Sequence, residues 1–127
     1  MFKSTPAFSS FSVNDLDAAK RFYEDTLGIK SDDGPMGITL KLHGIENGVF
    51  VYPKADHVPA SFTILNFAVN DIDKAVRELK DKGVVFEHYE GMTGADGIAR
   101  SDSPDHGPDI AWFKDPAGNI IAVMKRL

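Results

Sequence analysis

The sequence predicts an α+β protein made of two β-α-β-β-β modules, and two observations predict it. Residues 9–25 and 65–81 are identical at eight of seventeen aligned positions, where unrelated segments would agree at about one, so an internal repeat is indicated. Each copy also changes from an alternation of period two to apolar residues at helical spacing, the pattern of a strand followed by a helix. Module 1 is predicted at residues 1–53, a polar connector at 54–61 and module 2 at 62–127. Neither module is expected to bury its sheet alone, so the two are predicted to form one domain.

The first strand and helix of each copy are predicted around one motif, "VNDLD" in the first copy and "VNDID" in the second. The residues before it alternate, so Phe11 and Val13 are expected to share a buried face. Asn and Asp accept hydrogen bonds from the free N–H groups of a helix start, so Asp15 and its counterpart are interpreted as caps and not as catalytic carboxylates. The helices are predicted to stop at Gly28 and Gly83, where glycine takes a left-handed backbone.

Further strands are predicted from short runs of β-branched and aromatic residues between turn signals. In the first half, residues 37–43 and 48–53 are expected to form a hairpin through Gly44–Asn47. The strands of the second half are predicted at Val84–Glu87, Gly97–Ser101, Asp109–Lys114 and Asn119–Lys125. The segment "DPAGN" at 115–119 predicts a tight turn, because proline fixes φ and glycine accepts positive φ.

The net charge of −5 is spread over both halves of the chain, and no basic stripe occurs. Nucleic acid is therefore not an expected partner. The acidic balance mildly favours a cationic ligand over an anionic one, or it serves only to keep the protein in solution. No apolar run approaches the roughly 20 residues of a membrane span, so no membrane partner is expected. The chain has no cysteine and starts without the apolar segment of a secretory signal, which favours a cytoplasmic location.

The segments "VNDLDAAKRFYEDTLGIK" and "DIAWFKDPAGNIIAVM" resemble the vicinal oxygen chelate superfamily, the group of glyoxalase I, bleomycin resistance proteins and extradiol dioxygenases. The familiar marks are "FY…LG" at Phe22, Tyr23, Leu27 and Gly28, together with the "DPAGN" turn. This resemblance implies a curled mixed sheet with the helices outside, a cupped pocket between the modules, and a homodimer.

The resemblance also implies where a metal ion would be held, since metal-dependent members place His, Gln or Glu on the first and last strands of each module. Carried over one by one, those positions are Phe8, Ile64, Ala122 and a residue near Val49. All four side chains are apolar, whereas a divalent cation needs imidazole or oxygen donors. No metal and no cofactor are therefore predicted, and the metal chemistry of the family is not expected here.

The sheet face opposite the helices is predicted to line a small-molecule site, because it is apolar with a few small polar groups. A packed interface between the modules would have the same character, and this alternative stays open. His43 ends a strand on that face, His106 lies in an Asp-rich loop, and Arg100 offers a fork of donors to an anionic group. His57 and His88 are expected to be solvated. The predicted ligand-binding residues are Phe8, Ser10, Ser12, His43, Val49, Ile64, Asn66, Arg100, His106, Trp112 and Ala122, with the strand parity of Trp112 left open.

These features predict metal-independent binding of a small organic molecule of aromatic or cationic character, as in the drug-sequestering members of the superfamily. The alternative is an enzyme, a lyase, isomerase or dioxygenase with displaced metal ligands, in which His43 or His106 would be a ligand or general base. A structural or regulatory partner protein without a ligand is the third hypothesis.

Overall fold

The computed structural model describes all 127 residues of the chain. They form two compact units, Met1–Pro59 and Ala60–Leu127, and the division falls inside the predicted connector. Each unit contains a four-stranded mixed sheet and one main helix, so the predicted α+β class with two modules is confirmed. None of the helices combines the length and the hydropathy needed to cross a bilayer.

Unit 1 places its first strand beside its last. β1 (Ser9–Val13) lies parallel to β4 (Ile45–Pro53), and β3 (Ile38–Leu42) and β2 (Lys30–Asp33) follow in antiparallel order to complete sheet 1. The helix α1 (Leu16–Arg21) follows β1 directly and contacts β4. A parallel pair needs a long crossover between its strands, and here α1, β2 and β3 together make that crossover.

Unit 2 has the same strand order in sheet 2. β5 (Thr63–Val69) lies parallel to β8 (Ile120–Lys125), followed by β7 (Ile110–Lys114) and the short β6 (Ile98–Ala99). The helix α2 (Ile72–Asp81) follows β5 and contacts β8. In each unit the order is therefore first, last, third and second strand.

Both predicted helix starts are confirmed at the motif that the two halves share. Asp15 Oδ1 accepts a hydrogen bond from the backbone N–H of Ala18 at 3.1 Å, and Asp71 Oδ1 accepts one from Lys74 at 3.0 Å. Both caps have an extended backbone, as N-cap residues do. The motif therefore specifies two helix starts, and its aspartates do not belong to a catalytic group.

The first helix ends in a π-helical turn, Phe22–Thr26, which was not predicted. The backbone N–H of Leu27 donates to the carbonyl of Phe22 at 3.0 Å, five residues back. Tyr23 within this turn has no exposed surface, and its ring lies 5.9 Å from that of Phe11 in a tilted arrangement. The widened turn thus seats an aromatic core residue beside β1. Gly28 follows with φ 70°, as expected for the end of the helix.

Three other predictions about strands need correction. β2 was missed because its sequence, "KSDD", lacks any apolar alternation and forms an exposed edge. Val84–Glu87 is not a strand, since only Phe86 makes a bridge, to Phe113. The first hairpin turns at residues 43 and 44, because Leu42 already pairs with Ile45. The predicted Gly44–Asn47 connection is therefore mostly strand.

The predicted "DPAGN" turn is confirmed and is organised by a buried carboxylate. Asp115 is only 4% exposed, and its Oδ1 accepts from the backbone N–H groups of Ala117 and Asn119, each at 2.9 Å. The side-chain amide of Asn119 donates to the other carboxylate oxygen at 3.0 Å. Gly118 has φ 85°. The turn that joins β7 to β8 is thus held by three hydrogen bonds to one side chain.

The core of each unit lies between the helix and one face of the sheet. Fully buried members are Val13, Leu40 and Val51 in unit 1, and Ala111, Phe113 and Ile121 in unit 2. Burying one such side chain contributes about 1.5–3 kcal/mol for the larger residues. Because side chains alternate along a strand, the residues between these positions point to the opposite side of each sheet, which we call its open face.

Candidate functional site

The open face of sheet 1 brings three of the predicted site residues together. Ser10 and Ser12 alternate with the core residues of β1, and Phe8 lies just before this strand with 67% of its surface exposed. Across the parallel pair, Ser10 is matched with Phe50 and Ser12 with Tyr52. The face therefore combines hydroxyl groups with two aromatic rings.

The predicted placement of Val49 on this face is wrong. Val49 pairs with Ser9 and Leu40, so its side chain lies on the core face, and it is 4% exposed. Phe50 occupies the position that had been assigned to Val49. The error is one residue of register in β4, which moves a side chain to the other side of a sheet.

Phe50 and Tyr52 form an aromatic pair outside the predicted set of site residues. Their rings are nearly parallel, with an interplanar angle of 16° and centroids 6.0 Å apart. The ring of Phe50 lies against Gly37, where an added Cβ would come within 2.9 Å of the Phe50 ring and 2.2 Å of the Val51 carbonyl. Glycine at this position therefore gives the ring room to lie close to the backbone. The sequence predicts this pair once the alternation of side chains along β4 is assigned in the correct register.

His57 lies against the serine side of this face, although it was expected to be solvated. Its Nδ1 is 2.6 Å from Oγ of Ser12, and both residues are half-buried. The backbone of His57 is fixed by a turn, in which its N–H donates to the carbonyl of Lys54 at 3.0 Å. No local pattern predicts this contact, because the two residues are 45 positions apart.

His43 lies in a groove at the β3–β4 turn. The groove has a volume of about 720 Å³ and is also lined by Asp32, Thr39, Lys41 and Glu46. Lys41 Nζ is 3.7 Å from a carboxylate oxygen of Asp32 across two neighbouring strands. The groove is open and mixed in charge, so it offers hydrogen-bonding groups as well as the apolar side chains of Leu42 and Ile45.

The open face of sheet 2 holds the predicted residues Asn66, Ala122 and Trp112 in one row. The register matches Asn66 with Ala122 and Ala122 with Trp112. The side chain of Trp112 therefore also lies on the open face. Ala122 itself has no exposed surface. Ile64 is half-buried and is the extra residue of a bulge beside Thr63.

Tyr89 was not predicted and lies against Trp112. The two rings meet edge to face, with centroids 5.4 Å apart and an interplanar angle of 78°. Tyr89 belongs to the glycine-containing loop of residues 88–97 that precedes β6. No strand pattern covers this loop, so the sequence carried no signal that would place Tyr89 on the sheet.

Arg100 lies in an ion cluster instead of facing a ligand. Its guanidinium donates to Asp73 at 2.7 Å and to Asp96 at 2.8 Å, and Asp109 lies 3.9 Å away. The hydrogen bond from Arg100 lowers the pKa of Asp73. The pKa of Asp96 is lowered by the backbone N–H of Ile98 and then by Arg100. Three carboxylates around one guanidinium leave no positive charge for an anionic ligand, which counts against that predicted role.

His106 ends a short 3-10 turn, Pro104–His106, between β6 and β7. Its Nδ1 contacts the carboxylate of Asp102 in the same loop, and both side chains are largely exposed. His106 therefore belongs to a local loop contact and Arg100 to the ion cluster, apart from the row formed by Asn66, Ala122 and Trp112.

The positions implied for a metal ion do not fit one. The open-face residues at or next to the four implied positions are Phe8 and Phe50 in unit 1, and Ile64 and Ala122 in unit 2. None has an atom that coordinates a divalent cation. No group of three or more His, Cys, Asp or Glu side chains in the chain is arranged to hold a metal ion.

Comparison with known families gives one match that spans most of the chain. The family model described as the Glyoxalase/Bleomycin resistance protein/Dioxygenase superfamily matches residues 8–123. A protein of Bacillus subtilis named uncharacterized protein YurT is 30% identical over 134 aligned positions, covering 93% of this chain and 96% of that protein.

Solved structures share the fold over nearly the full length. TnmS3, an antibiotic binding protein from Streptomyces sp. CB03234, has a TM-score of 0.67 at 22% identity, covering 98% of each chain. The fosfomycin resistance protein FosX from Listeria monocytogenes has a TM-score of 0.73 at 10% identity, covering 98% of this chain and 94% of its own. At these identities the likeness shows a common fold.

Proposed function

Because this chain belongs to the glyoxalase/bleomycin resistance protein/dioxygenase superfamily, we propose that it binds a small organic molecule without a metal ion. The observation that carries the proposal is the chemistry of the open faces. The positions implied for metal ligands are Phe8, Ile64, Ala122 and a residue near Val49, where Phe50 is the open-face residue, and aromatic rings and hydroxyl groups lie beside them. Such faces gain affinity from apolar and aromatic contact, with a few polar groups to orient the ligand.

The aromatic pair of Phe50 and Tyr52 supports a ligand with a flat apolar part. Two nearly parallel rings along one strand present a surface for stacking. Ser10 and Ser12, on the neighbouring strand, place hydroxyl groups at its border. A molecule with an aromatic body and one or two polar substituents would match both features.

The names of two structural relatives are consistent with this proposal. TnmS3 is described as an antibiotic binding protein and FosX as a fosfomycin resistance protein. Their likeness to this chain extends to the fold. They support the proposal by showing that proteins of this fold are linked to small antimicrobial compounds.

The experiment is a ligand screen with metal controls. Purified protein would be tested against flat aromatic compounds, cationic compounds and antibiotics, in thermal shift and by fluorescence of Trp112, the one tryptophan of the chain. We expect hits that raise the melting temperature equally with and without EDTA. A matched pair of variants, Phe50→Ala on the open face and Phe2→Ala at the exposed N-terminus, should separate a loss of binding from a general effect. A bound divalent metal that is needed for binding would refute the proposal.

An enzyme is the second candidate, and one observation favours it. The imidazole of His57 lies at hydrogen-bond distance from the hydroxyl of Ser12, the arrangement in which an imidazole can take or return a proton. Compounds found in the screen would be incubated with protein and followed by mass spectrometry. Turnover that is lost in His57→Gln, with binding kept, would favour the enzyme over the binding protein.

A homodimer in the cytoplasm is proposed as the setting of this function. The family resemblance suggests the dimer, and β1 and β5 are edge strands with exposed Phe8 and Phe62 beside them. Unpaired edges with apolar neighbours favour association with another chain. Light scattering during size-exclusion chromatography would measure the mass, and a monomer at all concentrations would refute the dimer. Cell fractionation would test the location.

A further inference from the structure

Tyr89 covers part of the largest flat side chain on the open face of sheet 2. Its ring meets the indole of Trp112 edge to face at 5.4 Å. Tyr89 is 36% exposed, and Trp112 is half-buried. Space directly beside the indole is thus occupied by an aromatic side chain of the protein itself.

The loop that carries Tyr89 is anchored at its two ends. At the first end, the backbone N–H of Glu87 donates to the carbonyl of Trp112 at 2.8 Å. At the second end, the Asp96 carbonyl accepts from Lys80 Nζ at 3.0 Å, and its carboxylate accepts from Arg100 at 2.8 Å. These contacts hold the ends of the loop to β7 and α2.

Between the anchors, the loop is folded on itself. The backbone N–H of Tyr89 donates to Oγ1 of Thr93 at 2.8 Å, and the N–H of Met92 donates to the carbonyl of Tyr89 at 3.0 Å. Gly91 and Gly97 have φ values of 77° and 86°, which side chains other than glycine rarely adopt. Because these hydrogen bonds are internal, residues 89–93 can keep them while they move. The N–H of Gly94 donates to the Ile98 carbonyl of β6 at 3.0 Å and belongs to the anchor at the second end. The ring of Tyr89 is the link of the loop to the open face.

We propose that the indole of Trp112 is the stacking surface for a flat aromatic ligand and that Tyr89 is the gate over it. The ligand displaces the Tyr89 ring, and the loop turns about its anchored ends. One aromatic contact replaces another, and the internal hydrogen bonds of the loop survive, so the exchange has a low cost. This inference rests on the proposed binding function and adds the ligand class and the residue that controls access.

Removing the gate should therefore expose the indole and strengthen binding. An edge-to-face pair has a strength that corresponds to a factor of about 2 to 10 in affinity. We expect Tyr89→Ala to bind a flat aromatic probe tighter by about that factor. Tyr89→Phe keeps the ring and should resemble the native protein. Met92→Ala, at a residue of the same loop that is 58% exposed, is the matched control and should also resemble it.

The test uses Trp112, which is the only fluorescent indole in the chain. Acrylamide quenching without ligand would report its accessibility in the native protein and the three variants. Titration with 8-anilinonaphthalene-1-sulfonate, followed by energy transfer from Trp112, would report binding. We expect stronger quenching and tighter dye binding in Tyr89→Ala alone. Hydrogen exchange of the native protein should show the amides of Glu90, Gly91 and Ala95, which lie outside the internal hydrogen bonds of the loop, exchanging at least about 100-fold faster than those of β7.

The outcomes separate this inference from the function on which it rests. Unchanged quenching in Tyr89→Ala would show that Tyr89 does not cover Trp112 and would overturn the gate. Stronger quenching with equal or weaker dye binding would also overturn it, because Tyr89 would then not compete with the ligand. Amides of Glu90, Gly91 and Ala95 as protected as those of β7 would rule out the movement even if the variant failed to fold. If neither the dye nor any compound of the screen binds, the proposed function fails and the ligand part of the inference fails with it.

Discussion

The hydroxyl of Ser12 lies 2.6 Å from Nδ1 of His57 and joins β1 to the segment that leaves unit 1. Ser12 belongs to the open face of sheet 1, and His57 follows the turn after β4. The contact is a side-chain link between residues 45 positions apart. It fixes the end of the unit against its first strand and also places an imidazole beside the candidate site.

Ser12→Ala should destabilise the protein, because it removes this link and leaves the half-buried imidazole without the hydroxyl. The expected loss is about 0.5–1.5 kcal/mol, the usual net value of such a hydrogen bond. Ser10→Ala, on the same face of the same strand, is the matched control and should change stability by less than about 0.5 kcal/mol. Urea unfolding followed by circular dichroism would measure both. Equal effects of the two variants would contradict a specific role for the Ser12–His57 contact.

Asp115→Ala should be among the more damaging substitutions of a charged residue. The carboxylate is buried and accepts hydrogen bonds from two backbone N–H groups and from the Asn119 amide. Its removal takes away the acceptor of three hydrogen bonds, so we expect a loss of about 2–4 kcal/mol. Asp115→Asn keeps one carbonyl oxygen and should lose less. Thermal unfolding of the two variants would give the order, and a milder effect for alanine than for asparagine would contradict the account.

Gly37→Ala should destabilise unit 1 for steric reasons. An added Cβ would meet the Val51 carbonyl at 2.2 Å and the Phe50 ring at 2.9 Å. The strand or the ring must shift, at a cost of about 1–3 kcal/mol. Gly34→Ala is the control, because its nearest contact would be an ordinary 3.4 Å. The denaturant midpoints of the two variants would show the difference. A native-like midpoint for Gly37→Ala would show that the Phe50 ring is not held against this glycine.

The ion cluster around Arg100 should make part of the stability depend on pH. Asp73 and Asp96 have lowered pKa values in the folded protein, from the hydrogen bond of Arg100 in the first case and from Ile98 N–H and Arg100 in the second. A lowered pKa means that the folded state favours the ionised form. This contribution is fully present above the unfolded carboxyl pKa of about 4 and is lost as the pH falls through the folded values.

Arg100→Ala should therefore lower the unfolding midpoint at about pH 7 and have a smaller effect at about pH 2.5, on either side of the usual carboxyl pKa. The cluster is half exposed, so solvent and salt weaken it and the effect should shrink at high ionic strength. Arg21→Ala, at an exposed position of α1, is a control with the same loss of charge. An effect of Arg100→Ala that is equal at both pH values would contradict the electrostatic explanation.

The fold was predictable because its main signals are local. Asp15 and Asp71 cap helices for reasons contained within a few residues, and the alternation before them marks one buried face. The sequence pattern does not predict β2, because an exposed edge strand can form without apolar residues. The site was harder to predict, since it depends on contacts across the chain. A single step of register separates Val49 from Phe50, and no local pattern relates Ser12 to His57 or Tyr89 to Trp112.

The parallel pairing of β5 with β8 has a consequence for the order in which the chain can fold. Asn66 lies beside Ala122, so the first strand of unit 2 cannot complete its ladder until the final strand has been synthesised. Unit 1 closes earlier, because Ser10 meets Phe50. Pairings between distant residues slow folding, as the intervening chain must be ordered first. During synthesis on the ribosome, we expect all strands of unit 1 to be available for pairing before β8, the last strand of unit 2, has been made.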